Sequence, residues 1–126
     1  MSPRAAGPLR ADNVTRGRPL ATSVEVADSP WSRLRGLIGR PPLQAGEGLL
    51  IEPCSGIHTF FMGFTIDVVF LDAEGYVVAA LGSIAPWRLT RIYPGAAAAL
   101  ELPPDTVATT GTVAGDLIEF TTAAAP

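Results

Sequence analysis

The chain has 126 residues, of which 48% are hydrophobic and 17% charged, with a net charge of -3. That is the size of one domain with enough apolar surface for one core. It argues against nonspecific nucleic-acid binding, which needs a basic face, and no run of 18 apolar residues is present to form a membrane span.

Residues 1–20 are rich in Pro, Gly, Arg and Ala without period, and read as a flexible N-terminal head. The opening residues lack the apolar stretch of a secretory signal, so a cytoplasmic location is expected. A first strand is expected at Ala21 to Ala27, where Val24 and Val26 alternate with Ser23 and Glu25. A short helix follows. Asp28 or Ser29 can cap it, Pro30 suits its first turn, and Trp31, Leu34, Leu37 and Ile38 fall on one face. Gly39, Pro41 and Pro42 end it.

Beyond the helix the pattern is of short strands with turn punctuation. Strands are expected at Gly48 to Glu52, His58 to Met62, Thr65 to Leu71, Tyr76 to Leu81, Leu100 to Leu102 and Leu117 to Thr121. Asp72 to Gly75 makes a hairpin turn, and residues 122–126 are a tail. The expected fold is α+β: a mostly antiparallel sheet curled into a partial barrel, with one short N-terminal helix packed on it and a single domain over residues 21–121.

Two pieces of sequence are distinctive. Residues 33–40 read R-L-R-G-L-I-G-R, and residues 53–72 read P-C-S-G-I-H-T-F-F-M-G-F-T-I-D-V-V-F-L-D. With L-E-L at Leu100 to Leu102 and the later Gly115-Asp116, their order and spacing resemble a family of small bacterial and archaeal proteins, domain of unknown function 192. The resemblance covers about Thr22 to Phe120. It implies a small, mainly sheet α+β domain without assigned enzymatic activity. It also implies kinship with proteins that are often exported, and with many that carry Trp where Phe61 stands.

Cys54 is the only cysteine and His58 the only histidine. As a pair they suggest a nucleophile with its base, or two metal ligands. On a straight strand positions four apart lie about 13 Å apart, so the pair can meet only if Ser55-Gly56 turns the chain. The plainer reading is a thiol packed as a small hydrophobe and a histidine bonded within its loop. Asp67 alternates with Val69 and Leu71, opposite Ile66, Val68 and Phe70, on a strand apolar on both faces. It can accept backbone N–H bonds, orient His58, or ligate a transition metal together with Cys54 and His58.

The aromatic-rich stretch containing Phe61 and Met62, together with Trp87, offers core packing or a contact surface. Arg33, Arg35 and Arg40 give the helix a basic stripe, solvated or holding a phosphate or carboxylate. No P-loop, dinucleotide fingerprint, nucleophile elbow or zinc-protease motif occurs. The first functional expectation is a non-enzymatic module binding a protein, peptide or small ligand near His58, Phe61, Met62, Asp67, Trp87 and Arg35. The second is a metal-binding accessory protein using Cys54, His58 and Asp67. The third is a thiol enzyme with Cys54 as nucleophile and His58 as base.

Overall fold

A computed structural model describes residues 7–122. In chain order the elements are β1 (Leu9–Asn13), β2 (Arg18–Ala27), α1 (Pro30–Arg35), β3 (Glu47–Ile51), β4 (Ile66–Leu71), β5 (Val77–Ile84), β6 (Ala98–Leu102), α2 (Thr106–Thr110) and β7 (Ile118–Thr122). The seven strands form one sheet in the order β5-β4-β6-β3-β2-β1-β7. Every pairing is antiparallel except β2 with β3, and a parallel pair needs a crossover, which here contains α1. The mostly antiparallel expectation is met.

The two outermost strands, β5 and β7, are drawn together at one end. Tyr76 bridges Leu117, the Val77 N–H donates to the Asp116 carbonyl at 2.8 Å, and the Ile118 N–H to the Gly75 carbonyl at 2.9 Å. A Cβ at Gly75 would lie 2.7 Å from the Ile118 carbonyl oxygen, and its φ is +95°, so only glycine fits this seam. The result is a sheet curled into a partial barrel.

Period-two alternation gives this sheet two apolar faces. Leu50, Val69, Leu71, Leu100 and Leu102 point into the barrel, with Leu9, Ala11 and Val24. Leu49, Ile51, Ile66, Val68, Phe70 and Ala99 point the other way, into a second core. That outer core is covered by Leu37, Ile38 and Leu43 from the turn after α1 and by the two long connections, residues 53–65 and 85–97. The alternation expected for Ile66 to Leu71 therefore holds, and both faces are buried.

Several expectations need correction. The helix is not N-terminal: two strands precede α1, and a second helix, α2, packs on β2, β4 and β5. Within the stretch read as a flexible head, Leu9 and Ala11 are core residues of β1, and β2 starts at Arg18. The small Ala11 and the charged Arg10 and Asp12 hide this strand's alternation from a hydropathy reading. Residues 1–6 and 123–126 lie outside the described residues.

Helix α1 is also shorter than its apolar spacing suggests. Ser29 and Ser32 form a reciprocal cap, but Gly36 at φ +50° stops the helix after Arg35. Leu37 then turns under the helix into the outer core, while Trp31 and Leu34 stay 70% and 65% exposed. Finally, His58 to Met62 is not a strand. His58 makes one bridge to Leu89, and Phe61 sits at φ +65° in a turn closed by the Met62 N–H donating to the Thr59 carbonyl.

Candidate functional site

The two long connections are zipped together into one covering layer. The Tyr93 N–H donates to the Ser55 carbonyl, Thr90 and Ile57 bond each other through backbone and hydroxyl, and the Thr59 N–H donates to the Arg88 carbonyl at 2.8 Å. The buried Thr59 hydroxyl donates to the Ala85 carbonyl at 2.7 Å and accepts the Arg88 N–H at 2.9 Å. A Cβ at Gly56 would meet Ile92 Cδ1 at 2.7 Å, so the absence of a side chain there lets the two segments close.

A cleft of about 90 Å³ runs between α1 and this layer, lined by Arg33, Leu34, Arg35, Cys54, His58 and Met62 among others, with Glu101 also on its wall. It adjoins an open depression of about 580 Å³ that shares Arg33, Leu34, Ile51, Cys54, Gly56 and His58. Of the residues singled out from sequence, Arg35, Cys54, His58 and Met62 thus come together. Phe61 and Trp87 lie beside them as an exposed edge-to-face pair with ring centroids 4.7 Å apart, linked through Phe60 to His58.

Asp67 does not join them. It points into the barrel with Val69 and Leu71, so the sheet separates it from the cleft. Its carboxylate accepts the backbone N–H groups of Ser83 and Val107, each at 2.8 Å. The Cys54–His58–Asp67 metal trio therefore does not form. Among the described residues no group of three or more His, Cys, Asp and Glu side chains is placed to hold a metal ion.

Cys54 and His58 share the cleft but are each engaged locally. The Cys54 thiol donates to the Gly56 carbonyl at 3.1 Å, and His58 Nδ1 accepts the Phe60 N–H at 3.2 Å. Burial pushes the Cys54 thiol above its ordinary range. An activated nucleophile needs the opposite shift. Alkylation of Cys54 by iodoacetamide in the folded chain is accordingly expected to be at least about tenfold slower than that of free cysteine at pH 7.5. A fast reaction with a midpoint below pH 7 would contradict this.

The residue the sequence reading passed over is Glu101. It lies on β6 beside Ala99 on the outer face, between Leu49 of β3 and Val68 of β4, and is only 3% exposed. Burial raises its carboxyl to about 8, against a smaller opposing pull from Arg40. Among the described residues its Oε1 has no hydrogen-bond partner, and neither has the buried Nε of Arg33. Arg33 otherwise reaches the Pro53 carbonyl, Arg35 the Ile38 carbonyl, and Arg40 pairs with Glu25. The only sequence signal for Glu101 is a single charge set between Leu100 and Leu102.

No helix among the described residues is long and apolar enough to cross a membrane. In sequence, the chain is 31% identical over 112 residues to a UPF0127 protein of Thermococcus sibiricus, covering 86% of this chain and 72% of the relative. In structure, it is similar to a protein of unknown function from Novosphingobium aromaticivorans, with a TM-score of 0.76, 21% identity, and 89% and 83% of the two chains covered. It is also similar to a Sinorhizobium meliloti protein described as a candidate transcription regulator, with a TM-score of 0.74, 23% identity, and 89% and 91% covered. At these identities the structural likenesses establish the fold alone. The sequence profile of DUF192, described as an uncharacterised ACR, matches residues 11–120, which takes in most of β1 as well as the core expected from Thr22 onward. By that match and by its curated relative, the chain belongs to the DUF192 family.

Proposed function

We propose that the chain is a non-enzymatic binding module, and that its ligand, a small molecule or the end of a peptide, seats in the cleft between α1 and residues 53–62. One observation carries this reading. Glu101 Oε1 and Arg33 Nε, both buried on the wall of the same cleft, lack partners. Each orphan of this kind costs about 1–3 kcal/mol, and buried polar groups are otherwise almost always paired. A ligand that bonds both recovers that cost. The exposed Phe61–Trp87 pair beside the cleft adds apolar contact area for a longer ligand.

The thiol-enzyme alternative has less support, because Cys54 is bonded to its own turn and its thiol is held protonated. The metal alternative loses its third ligand with Asp67 on the far side of the sheet.

The test is a backbone amide NMR titration with a mixed set of small acids, amides, amines and alcohols. Shifts are expected to cluster at residues 33–38, 54–62 and 101. If no fragment moves these residues, or if shifts gather instead around Leu9, Leu71 and Phe120 at the barrel cavity, the proposal fails.

A further inference from the structure

Resting on that reading, we propose that the ligand carries a carboxylate on an apolar body, its two oxygens accepting hydrogen bonds from Arg33 Nε and from the carboxyl of Glu101.

Three observations converge on this chemistry. The first is donor count. Arg33 can only donate, and burial keeps the Glu101 proton in place up to about pH 8, so at neutral pH Glu101 also donates. Two buried donors call for an acceptor with two oxygens.

The second is charge. Residues 29–46, 53–66 and 85–97, which build the wall and the covering layer, contain Arg33, Arg35, Arg40, Arg88 and Arg91 and no Asp or Glu. The remainder of the chain holds four arginines against all twelve carboxylates. Of the arginines in the wall and covering layer, Arg33 and Arg35 line the cleft and Arg33 the depression, with no carboxyl on either except the protonated Glu101, so the site attracts anions and repels cations.

The third is shape. The cleft of about 90 Å³ is on the scale of a few waters and takes a carboxylate but not a ring. The adjoining depression is walled mainly by Pro30, Leu34, Pro53, Ile92 and Ala96, with Arg33, Ser55 and His58 also on it, so it suits a mostly apolar body. Leu34 and Ile92, now exposed, would be covered by it.

The pairing is pH-sensitive. Around Glu101, Leu49 and Val68 from the flanking strands are apolar. The charged or titratable groups lining the cleft are Arg33 and Arg35 from α1 and Cys54 and His58 from the covering layer, and Arg40 acts from beyond α1. When Glu101 ionises, its donor becomes a second anion facing the ligand.

Calorimetric titration with hexanoate and hexanamide tests this between pH 6 and 9.5. Hexanoate is expected to bind at pH 6.5 with millimolar or better affinity, at least about tenfold tighter than hexanamide, and to weaken about tenfold per pH unit above about 8. The weakening should vanish in Glu101→Gln, whose amide still donates, and persist in His58→Gln. In the natural chain, a carboxyl-carbon NMR titration should show hexanoate raising the Glu101 midpoint by a unit or more. N-acetyl-leucine, tested alongside, distinguishes a peptide end from a free acid as the source of the carboxylate.

Equal binding of hexanamide overturns the carboxylate assignment while leaving the cleft a binding site. An unmoved or lowered Glu101 midpoint, or an alkaline loss that survives in Glu101→Gln, overturns the role of Glu101. Binding of neither compound overturns the inference altogether, and the mixed-fragment titration then decides separately whether the cleft binds anything.

Discussion

Glu101→Gln will make the chain more stable than its natural form at alkaline pH and leave the two nearly equal at pH 5. The Glu101 carboxyl stands at about 8 in the fold, against an ordinary 4.5. Between those values the folded chain keeps the proton that the unfolded chain releases. Stability therefore falls as pH rises through this window, by about 1.4 kcal/mol per pH unit for this one group. The contribution is fully present below about 4.5 and is lost once pH passes about 8. Glutamine has no proton to lose, and its slope from this site is flat. By pH 8 the variant should lead by a few kcal/mol. Urea unfolding of both chains at each pH unit from 5 to 9 measures the gap. Parallel profiles would mean that Glu101 is ionised in the fold and satisfied by a partner. Asp116 does not confuse the comparison. Arg16 and Asn13 hold its carboxyl below the usual range, so its contribution is lost only on the acid side.

What the sequence made legible was the local alternation, and what it hid was the layer laid over it. Ile66 to Leu71 could be divided into two faces from spacing alone, and both faces were found where expected. The same rule applied to Ala98–Leu102 puts Glu101 opposite Leu100 and Leu102, but it does not say whether that side meets water. The answer comes from residues 53–65, far away in sequence, laid beside residues 85–97 and held to them by Thr59, Thr90 and the close approach at Gly56. Helix α1 failed in the reverse sense. Trp31 and Leu34 look like a core face by spacing, yet Gly36 ends the helix before that face can be buried. By spacing alone the arginines form a helical stripe open to solvent or an anion. Only the folded chain reveals that one of them, Arg33, has its Nε buried without a partner among the described residues, in the wall of the cleft that Glu101 also lines.

Asp67→Ala will cost about 3–5 kcal/mol, the expected loss of two hydrogen bonds to a buried charged acceptor with both donors left behind. The Ser83 N–H that it holds belongs to β5, where the pairing with β4 is irregular between Ile66 and Val68 and Ser83 itself sits at φ +57°. A left-handed serine needs such a tether. The Val107 N–H that it holds lies in the first turn of α2, whose own N-cap, Asp105, makes no side-chain bond. At five residues α2 is too short to stand without tertiary support, and Asp67 supplies the missing cap from a strand inside the barrel. Asp67→Asn should lose nearly as much. Its oxygen satisfies one donor, but its NH2 group meets the other donor head-on. Chemical denaturation measures the loss, and amide hydrogen exchange at Ser83 and Val107 locates it. A cost under about 1 kcal/mol, with exchange at both amides unchanged, would mean that the barrel positions α2 without its aspartate.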